Sequence, residues 1–389
     1  MTTVPPRRRE DFTVAVICSL PLEVDAIVLI FDELWDGLGN ELGKAQGDTN
    51  NYTLGRIGRH NAVLVLLPGI GKVNAASSAV KIRSSYGCVS LAILCGICGG
   101  VPNAGGGGEV LLGDVIISKS LVQYDLGRRF PDRFETKHGV EDSLSRPARE
   151  IRSFLVNFET IRRKRNLEQD ILESLARIQN KAVEKDYAVE YNRPNDEDVL
   201  FQPDYTHRHR GGWDCDCRES RACEEAMQAT CDELGCDVSR RVPRRRLESQ
   251  AEHRQPRLLL GSLGSGDTVM MSGKDRDQFA AEHKLVAFEM EGAGVWDNLP
   301  CIVAKGVANY ADSHKNKAWQ HHAAAAAAAA TRSLLDQWVP APSPIGQARQ
   351  VEEAEHRARL GENLTRLGGR DRAQQQQVSE NERRSTRRG

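Results

Sequence analysis

The chain has 389 residues, 40% of them hydrophobic, enough for one large core or two ordinary ones, which excludes a small cross-linked scaffold. Its formal net charge is -1, so no global field points to nucleic acid or a membrane surface. Residues 1–11 carry Arg7, Arg8 and Arg9 but no apolar stretch, and no run of about eighteen uncharged apolar residues occurs, so neither secretion nor membrane spanning is expected. The ten cysteines are accordingly read as reduced thiols of a cytoplasmic protein.

In chain order, short β-branched runs alternate with amphipathic ones. Strands are expected over 12–18, 61–67, 90–95 and 110–118, with helices over 22–34 and 73–84. This rhythm predicts an α/β fold of three layers, a central mixed, mainly parallel twisted sheet flanked by helices. Residues 146–186 are charged, with apolar positions at helical intervals from Ile151 to Ile178, and read as exposed helices. Residues 186–256 are polar, cysteine-bearing and arginine-rich. The expected domain therefore spans 11–340, interrupted by an insertion over about 143–256. Strands return at 258–263, 285–288 and 301–307, with a helix over 273–283. The alanine run 323–330 has high helix propensity and makes a closing helix. Residues 1–10 and 341–389 read as disordered polar tails.

Two short stretches could carry chemistry. Phe288-Glu289-Met290-Glu291-Gly292 ends a strand in two carboxylates before small residues that open a helix, which places charge at the C-terminal edge of the sheet where α/β ligand crevices form. A carboxylate there can accept both hydrogen bonds of a vicinal diol. From this run alone, a ribose grip and a helix cap both stand as readings. Gly69-Ile70-Gly71-Lys72 lies between a strand and a small-residue helix but lacks the glycine spacing of a P-loop or dinucleotide fingerprint, and reads as a tight turn with close helix packing.

These stretches occur in order with Leu20-Pro21-Leu22-Glu23, Gly96-Ile97-Cys98-Gly99-Gly100, Gly113-Asp114-Val115-Ile116, Ser265-Gly266-Asp267-Thr268-Val269-Met270 and Val307-Ala308-Asn309-Tyr310-Ala311-Asp312. Together they resemble the nucleoside phosphorylase and nucleosidase superfamily, in particular the methylthioadenosine/adenosylhomocysteine nucleosidases and the purine and uridine phosphorylases. The phrase from Tyr310 to Gln320 is similar to the phosphorylase-like domains at the N-termini of fungal NACHT, ankyrin and tetratricopeptide proteins. The resemblance implies a ribose-binding run at Glu289, Met290 and Glu291, a base edge at Val269 and Met270, and close approach of Gly96 to the ribose. It implies that Glu23 activates an attacking water. Cleaving an N-glycosidic bond builds positive charge on the sugar and negative charge on the base, so sugar-side carboxylates and a base-side donor fit the chemistry.

Two departures shape the expected reaction. The superfamily's phosphorylases hold phosphate with arginines, one after the first strand and one before the central glycine motif; this sequence has Ser19-Leu20-Pro21-Leu22-Glu23 in the first place and Leu94 in the second, with Ile97 replacing a phosphate-binding serine. A dianion among aliphatic side chains is poorly held, which favours water over phosphate as nucleophile. The resemblance puts a general-acid aspartate where Asn309 stands, and an amide can donate a hydrogen bond but has no proton to transfer. Asp312 reads as a structural hydrogen-bond partner. The expected function is hydrolysis of a purine nucleoside, attenuated at Asn309, with a nucleoside-sensing domain of a signalling protein as the alternative. The expected partners are the nucleoside, water or phosphate, and a second copy in a homodimer, with no nucleic acid, membrane or cofactor.

Cys215, Cys217, Cys223, Cys231 and Cys236, with His207 and His209, raise a zinc site. No Cys-x-x-Cys pair occurs among them and the spacing matches no common structural site, so they read as reduced thiols on an insertion, with no metal. The stretch from Arg240 to Arg246 has no interleaved aromatics for base stacking and reads as a solvated loop, or else a nuclear signal.

Overall fold

Strand β1 (Val14–Cys18) is apolar and buried at every position, as a parallel strand covered by helices on both faces must be. The computed structural model describes residues 4–340 except 105–107, 138, 188–190, 196, 211–214, 218–221, 249–254 and 316. From β1 the chain runs through α1 (Pro21–Val28), β2 (Glu33–Leu34), α2 (Leu38–Leu42), β3 (Tyr52–Ile57), β4 (His60–Leu66), α3 (Lys72–Ser85) and β5 (Leu91–Gly100). Next come β6 (Val115–Gln123), a small hairpin of β7 (Gly127–Arg129) and β8 (Phe134–Thr136), α4 (Arg149–Val156) and the long α5 (Ile161–Glu184). The short α6 (Glu224–Gln228) and α7 (Arg245–Glu248) precede β9 (Leu258–Ser265), α8 (Gly273–His283), β10 (Leu285–Glu289), α9 (Gly292–Trp296), β11 (Cys301–Asn309) and α10 (Gln320–Gln337). These elements belong to one unit, Met1–Trp338; Val339–Gly389 form another, and the expected tail over 341–389 lies outside the described residues.

The nine-stranded sheet has the order β10-β9-β6-β11-β5-β1-β4-β3-β2. β1 pairs in parallel with β4 and β5, β11 with β5, β6 with β9 and β10 with β9, while β2–β3, β3–β4 and β6–β11 are antiparallel. The sheet is thus mixed and mainly parallel, as expected. It also folds back on itself: Ala287 and Phe288 of β10 pair with Gly100 and Gly99 of β5, closing β5, β11, β6, β9 and β10 into a ring. The glycines that end β5 make room for β11 and the residues after it, since a Cβ on Gly99 would sit 2.8 Å from that of Ala311 and one on Gly100 would sit 2.7 Å from Val307 Cγ1.

Burial alternates along the central strands. Val14, Val16 and Cys18 face α1, α5 and α10, while Ala15 and Ile17 face the layer of α3 and α9. All of Ala323–Ala330 is buried under the sheet. Helix propensity is only part of the reason for the run, because a Cβ on Gly306 of β11 would strike the carbonyl oxygen of Ala323. The helix lies too close to the strand for larger side chains.

Several sequence expectations change. The helix expected over 22–34 ends at Val28, and Glu33–Leu34 forms the edge strand β2, paired with β3, a strand without an expected counterpart. The strand expected over 110–118 begins only at Val115, because Asp114 caps the preceding turn by accepting from Leu111 N–H. The helices over 146–186 are exposed on one face only: Ile151, Leu155, Leu167, Ile171, Leu175 and Ile178 are buried with α10 in the core. This part of the supposed insertion belongs to the domain. Nor is the basic stretch a solvated loop, for Arg246 pairs with buried Asp114, and buried Arg244 donates to Val110 O and lies over the Tyr310 ring. Among the described residues, no helix is long and apolar enough to cross a membrane.

Candidate active site

Pro21 opens α1 and sets Glu23 in its first turn, under the C-terminal half of β5. Glu23 is buried and its orientation is fixed: Oε2 accepts from the N–H groups of Ser19 at 2.8 Å and Leu20 at 3.0 Å, and Oε1 from Ile97 N–H at 2.8 Å. A side chain on Gly96 would run into this carboxylate, so glycine is what lets β5 pass over it. Gly96 is also the register partner of Lys305 on β11.

Glu289 and Glu291 are both buried, but they do different things. Glu289 turns back onto the start of α9, where its oxygens accept from Glu291 N–H at 3.0 Å and Gly292 N–H at 2.8 Å. It therefore serves as the cap that the sequence left open as a reading of the run. Glu291 points the other way. Its Oε2 lies 3.1 Å from Lys305 Nζ, and its Oε1 is 3.5 Å from Gly71 N–H. Met290 between them is half-buried.

Lys305 is the residue that sequence reasoning missed. It is fully buried in β11, and burial would lower its pKa, but the charges of Glu291, Glu23 and Glu289 overcome that and hold it above the ordinary lysine value. It makes the buried acidic cluster tenable, since unpaired carboxylates there would be expensive. Burial raises the Glu289 carboxyl; Lys305 opposes that rise and Glu291 adds to it. The available signal was the lone charge inside the apolar run Cys301-Ile302-Val303-Ala304-Lys305, where a fully buried lysine must have a partner.

Asn309 ends β11, at the register position of Gly99. Its Oδ1 accepts from Ala311 N–H at 2.9 Å, which identifies the oxygen and leaves the amide nitrogen as a donor. Ala311 itself holds a positive φ of 52°, unusual for a residue with a Cβ. Asp312 accepts from His314 N–H at 2.9 Å and faces Arg276 at 3.7 Å, in line with its structural reading. Asn309 opens onto a cavity of about 580 Å³ whose lining includes Tyr310, Asp312, His207, Cys231 and His314. A second cavity of about 590 Å³ lies between Val101, Phe201, Arg276 and Leu285. Neither reaches Glu23 or Glu291. Of the expected base edge, Met270 is buried with Tyr124 and Phe288, whereas Val269 is exposed.

The glycine loop before α3 is filled by the protein itself. Gly71 has φ 104°, and the Asp267 carboxylate accepts from Lys72 N–H at 2.8 Å, while Lys72 Nζ lies 2.6 Å from Asp125. A Cβ on Gly294 would meet the Lys72 carbonyl, so the same loop packs tightly on α9. The turn-and-packing reading fits this geometry. The structure thus gathers Glu23, Gly96, Glu289 and Glu291 around Lys305, with Asn309 farther along the same strand.

Residues 13–170 match the family model described as the phosphorylase superfamily. Over these residues the chain belongs to that superfamily. The chain is 30% identical over 338 residues to a nucleotide-binding leucine-rich repeat (NLR)-like protein of Hyaloscypha variabilis, covering 85% of this chain and 30% of that protein. It is 29% identical over 115 residues to the 5'-methylthioadenosine/S-adenosylhomocysteine nucleosidase of Mycobacterium bovis, covering 30% of this chain and 39% of that enzyme. The chain therefore spans well under half the length of both relatives. Its fold matches that of the S-adenosylhomocysteine nucleosidase of Streptococcus pyogenes, solved in complex with 5-methylthiotubericidin, with a TM-score of 0.50 and 14% identity over 85% of this chain and 98% of that one.

Proposed function

We propose that the domain binds a purine nucleoside and hydrolyses its N-glycosidic bond slowly. The observation that carries this reading is the convergence of Glu23 and Glu291 on Lys305 beside the side-chain-free backbone of Gly96. In this reading Glu291 grips the ribose hydroxyls while paired with Lys305, and Glu23 orients the attacking water. The Asn309 amide donates to the departing base without supplying a proton.

Three features favour water over phosphate. Leu94 is fully buried in the core, Lys305 is committed to carboxylates, and the helix terminus at Gly71 already holds Asp267. A dianion would find no unoccupied cation among these groups. A second reading, nucleoside sensing without turnover, is favoured by the amide at Asn309 and by the likeness to an NLR-like protein of which this chain spans 30%.

The test is chromatographic measurement of base release from adenosine and 5'-methylthioadenosine by the wild type, Asn309→Asp and Glu23→Gln. General acid catalysis is worth about a hundredfold to ten-thousandfold, so Asn309→Asp is expected to raise release at least about tenfold, and Glu23→Gln to abolish it. No release from any of the three, with nucleosides still raising the melting temperature, establishes the sensing reading instead.

A further inference from the structure

The segment from Gln202 to Arg241 has very little apolar material to hold it. Among its described residues only Ala226 and Leu234 are buried hydrophobics, too few to order some forty residues against their conformational entropy. Chain segments of this kind are commonly held by metals. The imidazoles of His207 and His209 are nonetheless buried here, and each faces thiols.

The ligand atoms of His209, Cys215, Cys217 and Cys223 all lie within 4.8 Å of one another. His209 Nδ1 is 3.8 Å from Cys217 Sγ and 3.5 Å from Cys223 Sγ. A second group, His207, Cys231 and Cys236, meets the same limit, with His207 Nδ1 3.7 Å from Cys231 Sγ and 3.4 Å from Cys236 Sγ. A tetrahedral zinc ion with Zn–S of about 2.3 Å and Zn–N of about 2.0 Å has N···S edges of about 3.6 Å. Both groups have that size.

Hydrogen bonding alone does not account for the arrangement. His207 Nε2 lies 2.9 Å from Ala229 O, so it carries the proton and Nδ1 presents its lone pair. Two thiols face that single lone pair. A carbonyl on the outer nitrogen is also the usual way a metal-bound imidazole is oriented. In the first group, Cys217 Sγ accepts from Cys223 N–H at 3.2 Å and Cys223 Sγ from Ala226 N–H at 3.4 Å, bonds that thiolates make better than thiols.

The second group has three ligands and a neighbour that can complete it. His314 is buried, its side chain 3% exposed, and neither ring nitrogen has a hydrogen-bond partner. Its ring stacks on Phe201 at 4.1 Å between centroids and meets that of His207 at 5.3 Å. We infer that this segment is a two-zinc module, one ion held by His209, Cys215, Cys217 and Cys223, the other by His207, Cys231, Cys236 and His314. The spacing argument against zinc failed because it sought ligand pairs adjacent in sequence; here the two sites divide the cysteines, each takes one histidine of the His-x-His pair, and the last ligand comes from beyond β11. Since His314 follows Asn309 by five residues, the second ion bolts the module to the wall of the Asn309 cavity.

Metal analysis of the full chain, purified under reducing conditions without chelator, tests this. The expected content is about two zinc ions per chain, falling to about one in Cys217→Ser/Cys223→Ser and to about one in Cys231→Ser/Cys236→Ser. Because these variants can misfold, the wild type is also exchanged with Co²⁺, and two equivalents giving thiolate-to-metal charge-transfer absorption are expected. A His314→Ala variant is expected to lose one equivalent of Co²⁺ absorption while keeping the other. Fewer than about 1.5 zinc ions per chain together with sub-stoichiometric cobalt absorption overturns the two-site assignment, as does finding ligand cysteines of both groups tied up in disulfides.

Discussion

Lys305 is the residue on which the buried chemistry depends, because it is the cation that faces Glu23, Glu289 and Glu291. Removing one partner of a buried ion pair costs about 3–5 kcal/mol, since the other charge is left uncompensated. Lys305→Met is therefore expected to lower stability by about that amount in urea unfolding, and adding Glu291→Gln is expected to recover part of the loss. If Lys305→Met alone is neutral, the buried pair of Lys305 with Glu291 does not contribute to stability as described. At this scale the sequence was legible in placement: Glu23, Gly96 and Glu291 lie around one point, and the roles expected of them belong to the proposed function. Glu289 was legible as one of two options, and its hydrogen bonds to Glu291 and Gly292 select the cap. Lys305 belongs to no motif that was read, and only the physics of a charge in an apolar strand could have found it.

At the scale of elements, the closest fit is between α10 and β11. Gly306 lies where any Cβ meets the Ala323 carbonyl, and that backbone cannot yield without moving the whole helix. Gly306→Ala is expected to prevent native folding, seen as loss of soluble expression or of the cooperative melting transition. Ala326→Leu, which overfills a fully buried position on the same helix, is expected to cost about 1–3 kcal/mol. Should both substitutions leave melting unchanged, the helix does not lie on the sheet as described. The strands were mostly readable because each is a short β-branched run, and α8 falls at its expected bounds, Gly273–His283. The burial of α5 was obscured by its composition: Arg162, Arg163, Lys164 and Arg165 dominate the segment, although the apolar positions from Leu167 to Ile178 keep helical spacing and all face the core. Strand β3 alternates too weakly, with Thr53, Gly55 and Arg56 among its six residues, to announce itself.

At the scale of the whole molecule, two buried histidines set the acid side of the stability profile. Burial lowers the pKa of His60 and of His322 below the ordinary 6.5, while each makes one backbone hydrogen bond, to Leu335 and Tyr191. The unfolded chain takes up protons first as the pH falls through 6.5, so stability is retained above that value and lost below it. The melting temperature is expected to drop between pH 7 and pH 5, and the drop to shrink in His60→Gln/His322→Asn; an equal drop in the variant would assign the acid sensitivity elsewhere. The resemblance to the phosphorylase superfamily and the mixed, mainly parallel α/β fold were legible from sequence. What three-dimensional closure adds is the ring from β5 to β10 and the gathering of imidazoles and thiols as far apart in sequence as His207 and Cys236, which periodicity does not report. The proposed reaction is cleavage of a nucleoside by water, not phosphate. Incubating the wild-type chain with 5'-methylthioadenosine in ¹⁸O-water containing phosphate, and weighing the sugar product by mass spectrometry, addresses it directly. The account predicts free adenine and a methylthioribose carrying one ¹⁸O, with no sugar phosphate. A sugar 1-phosphate, or intact substrate after prolonged incubation, would contradict it.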